Sequence, residues 1–270
     1  MRRCFEIDER TVNAMAEVAK EVAKDAYNDV AHPALKSAGG ILGLVPRAIK
    51  AALLPVEKWI VGREYNLAEI MKLLAMKLEN VAPEQISAPE AYIAVPALQY
   101  MSYCMDSEEL RDMYANLLAK SMHEITRNGV HPSFVEIIKQ LSPNEAKVIQ
   151  FSNGVIPVVT LRYQKPSSEG ADVLRNFSDI CEKAECERPH DIQQYIDNME
   201  RLGLFKKKQG ISLADENLYI SLENHPMIGD AKEASLVNFD NTYSPAIIRE
   251  YYEMTHLGRS FVKVCIAPKF

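Results

Sequence analysis

The sequence predicts a mainly α protein, with an N-terminal helical bundle over residues 1–150 and a C-terminal α+β, winged-helix-like domain over residues 151–270. Three observations predict it. Eleven glycines among 270 residues are few for a turn-rich β protein. From Ser87 to Gln150, apolar residues recur at helical spacing behind a succession of N-cap signals. After Gln150 the texture changes to the β-branched run VIPVVTLRY, followed by one strongly amphipathic helix and further strand-like segments.

The first predicted helix covers Thr11–Ala31, where Val12, Met15, Ala19, Val22, Ala26 and Val30 fall on one face. Pro33 stops it, because the residue before a proline is pushed out of helical geometry. The next stretch, Pro33–Arg63, is unlike the rest. It has no charge from Ser37 to Pro46, clusters Gly39, Gly40 and Gly43, and carries Lys36, Arg47, Lys50, Lys58 and Arg63 against Glu57 alone. The single tryptophan, Trp59, sits near its end. Apolar residues with flanking cations and an interfacial indole suit a membrane-surface or partner-binding segment, with Leu42, Leu44, Val45, Trp59 and Ile60 inserted and Lys50 and Lys58 meeting anionic headgroups. The same composition suits a buried helical hairpin with glycines at close contacts, and the sequence leaves both open.

Asn66–Val81 reads as a helix with an N-x-x-E start at Asn66 and Glu69 and a stripe of Leu67, Ile70, Met71, Leu74 and Leu78. SAPE places Ser87 as the cap of the next helix, with a kink or restart at Pro96. DSEE, Asp106–Glu109, opens a helix whose apolar face is Leu110, Met113, Tyr114, Leu117, Leu118, Met122 and Ile125, ending at the Asn128-Gly129 turn. Ser133 starts a shorter helix burying Phe134, Ile137, Ile138 and Leu141, and SPNE starts another at Ser142 with proline in its favoured first position.

Val155–Tyr163 reads as a strand, then a polar loop through Pro166 and Gly170. A helix from Asp191 ends at Gly203 with Ile192, Ile196, Met199 and Leu202 inward. Strands are expected around Gln209–Leu213, Asn217–Leu222 and Tyr251–Met254, and Thr255 is expected to cap a last short helix. That order is the reason for a winged-helix-like expectation. A DNA-binding regulator is the alternative functional reading it brings. Against it, the candidate recognition helix sets Asp191, Asp197 and Glu200 against Arg201, where phosphate contacts need cations, so protein docking suits it better than nucleic acid.

The net charge of −6 argues against a protein that coats nucleic acid. The N-terminus lacks the apolar run of a signal peptide, and no apolar stretch reaches the ~20 residues of a spanning helix, so a cytosolic protein, at most peripheral at the inner membrane, is expected. Five scattered cysteines suit free thiols in a reducing compartment. Cys181, Cys186 and His190 have the wrong spacing for a zinc site, as do His123 and His131, so no metal or cofactor is expected. No G-x-S-x-G, Walker or G-x-G-x-x-G pattern occurs, and AGGILG lacks the Lys-Ser/Thr that phosphate cradling needs. No catalytic residue is assigned. A hydrolase or nuclease assembled from distant residues is the third reading.

The string PEAYIAVPALQYMSYCMDSEELRDMYANLLAKSMHEITRNGVHPSFVEIIKQLSPNEAKVI resembles the abortive infection alpha family of bacterial proteins. The residues that carry it are the Pro89/Pro96 pair, the LRDMYANLLAKSM block and HPSFVEIIKQLSPNEA, with weaker similarity back through DAYNDVAHPALKSAGG. His123 departs from the short acidic residue expected there. The resemblance implies a role in antiphage defence as an abortive-infection component and supplies no catalytic residues. Together with the absence of a catalytic signature, it leads to the expectation of a non-enzymatic effector that works through a protein partner, self-association or peripheral contact with an anionic membrane.

Overall fold

The computed structural model describes residues 64–236 and 239–267. The helix expected over Thr11–Ala31 and the segment Pro33–Arg63 lie outside the described residues. The chain divides into two compact units, Met1–Lys139 with Ala267–Phe270, and Gln140–Ile266. Mainly helical overall, it has an antiparallel four-stranded sheet in the second unit.

In the first unit, α1 (Glu64–Lys77), α2 (Ala91–Met101) and α4 (Ser133–Lys139) all pack against α3 (Glu108–Met122). α1 buries Ile70 and Leu74, with Leu78 buried just beyond its end. Its start at Glu64 puts Asn66 inside the helix and not at its cap. α2 runs through Pro96 without ending. Ser107 caps α3 by accepting from Leu110 N. Every residue from Met113 to Met122 is buried, so α3 is enclosed on all sides rather than facing solvent along one stripe.

Two expected boundaries move. Ser87 does not cap α2. Its N–H donates to the Met122 carbonyl at 2.8 Å and Glu124 N to the Gln85 carbonyl at 2.9 Å, so an extended strip at residues 85–87 takes up an orphan carbonyl at the end of α3. That pairing also ends α3 at Met122 instead of Asn128, and leaves Ile125 exposed in the following turn. α4 is started by His131, whose Nδ1 accepts from Ser133 N at 3.1 Å.

In the second unit, α5 (Pro143–Phe151) opens with a full capping box: Ser142 Oγ accepts from Glu145 N, and Glu145 Oε2 from Ser142 N at 2.6 Å. β1 (Val155–Gln164) follows, then β2 (Gly170–Phe177), the short α6 (Ile180–Lys183) and α7 (Ile192–Arg201). Next come β3 (Phe205–Lys208), α8 (Asn217–Glu223), α9 (Pro226–Ser235), β4 (Ser244–Met254) and α10 (His256–Phe261), closed by a π-helical turn at Val262–Ile266. The strand order is β2-β1-β4-β3.

β1 is one of the two inner strands, buried continuously from Val158 to Leu161. Pro157, which has no N–H to offer, lies where β4 is the only neighbour, since pairing with β2 begins at Val159. The polar loop ends where expected, at Gly170, and β2, which the sequence does not predict, begins there. The strands expected at Gln209–Leu213 and Asn217–Leu222 are not strands. β3 precedes them, and NLYISLE is helical because Tyr219 and Leu222, three apart, are its buried pair. β3 and β4 therefore pair across two helices, with no hairpin between them. The strand expected at Tyr251–Met254 is the end of the longer β4.

At the sheet's edges the pairing is irregular. β2 slips register twice against β1 and carries Asn176 at φ 49°. β3 is the run FKKK, with Lys207 on Glu250 at 2.6 Å and Lys208 on Glu253 at 2.8 Å.

One joint pins the sheet's end. Thr255 caps α10 as expected, accepting from Gly258 N at 2.9 Å, and also donates to the Gly203 carbonyl at 2.6 Å. Thr255 N donates to the Leu204 carbonyl at 2.9 Å. A Cβ on Gly258 would lie 2.2 Å from that carbonyl oxygen, so only glycine lets α10 dock on the LGLF turn.

Candidate functional site

The residues expected to contact membrane or partner, Leu42, Leu44, Val45, Lys50, Lys58, Trp59 and Ile60, lie outside the described residues. Within them, the most unusual chemistry of the first unit is a polar column on α3. Asp112, Asn116 and Lys120 stand four apart and therefore one above another. On a helix with an apolar opposite side, that spacing reads as the solvent face. Here Asn116 is 3% exposed and Lys120 4%.

Lysine is almost never buried unless paired, since an isolated ammonium in a low-dielectric interior costs several kcal/mol. Lys120 Nζ donates to the Ala267 carbonyl at 2.7 Å. One turn earlier, Asn116 Nδ2 donates to Asp112 Oδ2 at 3.1 Å, and Asp112 pairs with Lys77 of α1. The column thus runs from α1 along α3 to the chain at Ala267. Donors aimed at a carbonyl and a paired carboxylate are suited to fixing segments in place.

At the end of α3, Thr126 Oγ1 donates to the Lys120 carbonyl at 2.9 Å, and His123 Nδ1 lies 3.2 Å from the same hydroxyl. The hydroxyl has spent its one proton, so Nδ1 carries the proton of that second bond. Burial holds the His123 ring below the usual histidine range, which keeps it neutral. A recess of ≈ 230 Å³ beside this corner is lined by Glu90, Tyr92, Ser121, Arg127 and Asn128. Its guanidinium is engaged: Arg127 donates to Ser87 Oγ at 3.0 Å and to Glu90 Oε1 at 2.8 Å.

In the second unit the SPNE motif does more than cap. Asn144 Nδ2 donates to the Tyr195 hydroxyl at 3.0 Å, and its Oδ1 accepts from Glu187 N at 3.1 Å. Glu145 Oε1 accepts from Asn198 Nδ2 at 2.6 Å. Both side chains are buried, so one four-residue motif starts α5 and fastens α7 to it. Cys181 and Cys186 are free and buried, while His190 is exposed on a separate turn. Among the described residues no three His, Cys, Asp or Glu gather as metal ligands, and no helix is long and apolar enough to cross a membrane.

Sequence reasoning missed Asn116 and Lys120, and read Asn144 and Glu145 only as part of a cap. A signal for the first pair exists. In MYANLLAKSM the only polar side chains apart from Tyr114 are Asn116, Lys120 and Ser121, too few for a helix with a face in water.

No curated protein matches the chain. A solved structure of an uncharacterized protein from the hydrocarbon-degrading marine bacterium Alcanivorax borkumensis SK2 is similar over 50% of this chain and 92% of that one, at 17% identity and a TM-score of 0.36. The profile of the abortive infection alpha family matches residues 62–265, which takes in the α3 column, the SPNE motif and the whole sheet. The chain belongs to the abortive infection alpha family.

Proposed function

We propose that the protein is an abortive-infection effector that acts by contact and not by catalysis, through a protein partner, a second copy or an anionic membrane surface. The observation that carries this reading is the composition of residues 33–63. An uncharged, glycine-containing run is followed there by spaced cations and the single tryptophan. Leu42, Leu44, Val45, Trp59 and Ile60 form the apolar part of the contact, and Lys50 and Lys58 its cationic part. Family membership supports the defence setting. The use made of buried polar groups elsewhere supports a scaffold: Lys120, Asn144 and Glu145 hold backbone and side chains in place. In the C-terminal unit the acidic character of α7 favours protein over nucleic acid as whatever docks there.

Flotation of the full chain with vesicles tests the membrane form of the reading. The protein is expected to float with phosphatidylglycerol-containing vesicles at low salt, to remain behind with phosphatidylcholine alone, and to lose binding when Trp59→Ser and Leu44→Asp are combined. Screening cuts exposed charge attraction within ~8 Å at physiological ionic strength, so binding should weaken as salt rises. Absence of binding to anionic vesicles at low salt would remove the membrane form and leave the protein-contact form.

A further inference from the structure

We propose that Cys181 and Cys186 form a built-in dithiol that hydroperoxides close to a reversible intrachain disulfide. The geometry begins with the way α6 ends. Glu185 N donates to the Glu182 carbonyl at 3.1 Å and Cys186 N to the Cys181 carbonyl at 2.8 Å, around a left-handed Glu185 at φ 53°. Nested bonds of this kind fold the residue after the left-handed one back over the residue five positions earlier, where an apolar contact usually forms. Here both residues are cysteines and neither is in a disulfide. Glycine is the usual occupant of the left-handed position, so the turn is held against strain. Lys147 helps hold it, donating to the Glu185 carbonyl at 3.3 Å.

The two sulfurs are not equivalent. Cys181 is 0% exposed and Cys186 9%, so Cys186 lies nearer the solvent. Burial pushes both thiols up. At Cys186 the neighbouring Cys181 thiol and the Lys147 charge oppose that push, whereas at Cys181 the Cys186 thiol adds to it. Cys186 is therefore the thiol that attacks, from the small fraction that ionises.

Its thiolate displaces hydroxide from hydrogen peroxide and becomes a sulfenic acid. The Cys181 sulfur then attacks that sulfur, the S–S bond forms and the sulfenic oxygen leaves as water. In balance, two thiols and one peroxide give one disulfide and two waters. Closure also removes the thiol proton that Cys186 offers the Asn144 carbonyl at 3.6 Å, so it acts on the SPNE joint between α5 and α7.

The test exposes the full chain to hydrogen peroxide, then denatures it and alkylates the remaining thiols. Two alkylation sites should be lost and restored by dithiothreitol, with the Cys181 and Cys186 peptides linked. Cys181→Ser should trap a dimedone-reactive sulfenic acid at Cys186, while Cys186→Ser should leave Cys181 reduced. Because the thiolate reacts, closure should quicken as pH rises. In the urea-unfolded chain five cysteines compete without the turn, and the preference for this pair should disappear. Retention of both thiols, oxidation of Cys186 beyond the sulfenic state without loss of Cys181, or a bridge to another cysteine in the folded chain would each overturn the proposal.

Discussion

Lys120 illustrates how the identity of one side chain can be set by its surroundings more than by its helix. Its ammonium answers the Ala267 carbonyl inside a packed unit, and a replacement must deal with both the charge and the space. Lys120→Met fills the space and removes the ammonium from the half-buried Ala267 carbonyl, a loss of about 1.5–3 kcal/mol by the usual worth of a charged hydrogen bond. Lys120→Ala adds a cavity and should be worse; urea unfolding of both variants gives the order. Gly258 is the opposite case, where absence of a side chain is required. Gly258→Ala drives a Cβ into the Leu204 carbonyl and should cost about 1–3 kcal/mol or more, as overpacking does, with α10 detached in hydrogen exchange. The T-x-L-G string was legible as a cap at Thr255. The need for Gly258 was not, because the atom it avoids lies on a backbone some fifty residues earlier in the chain, at Leu204.

Among the elements, those with local signals were the readable ones. α5 announces itself through SPNE, since cap, proline and capping glutamate are all within one turn. Ser142→Ala should cost about 1 kcal/mol, the usual worth of such a cap. Asn144→Ala should cost about 1–3 kcal/mol, because it strands the Glu187 N–H and the partner of Tyr195. A second substitution at Tyr195, to Phe, should then add less than it does alone, and a double-mutant cycle on unfolding free energies reads that coupling. Elements without local signals were misread. NLYISLE looks like a strand by composition, and only the burial of Tyr219 and Leu222 beneath the fold makes it helical. β2 goes unread because its run GADVLRNF mixes Asp172, Arg175 and Asn176 among the apolar residues and shows no clean alternation. α3 was read with one apolar face because sequence periodicity cannot tell a solvent face from a polar seam inside a bundle.

Taken as a whole molecule, the family and the mainly helical architecture with its sheet unit were legible from residues that cap or pack. Function was not legible from them for the same reason: such residues specify a scaffold and leave the acting surface to other segments. The sheet carries its own prediction at this scale. Lys206 and Lys208 line an edge strand whose backbone groups would otherwise be open to another chain. Replacing both with threonine should leave the helix content unchanged and raise light scattering on mild heating; an unchanged scattering curve would count against a guarding role.

The other edge is guarded differently, by the two register slips of β2, which bend its outer backbone away from a regular ladder. Strand addition is recognition without a password, because every chain carries the same amide groups. With one margin bristling with charge and the other bent out of line, this sheet is closed to that kind of indiscriminate joining. Whatever binds along this sheet must therefore be chosen by side chains, a requirement that keeps two copies from joining strand to strand by accident.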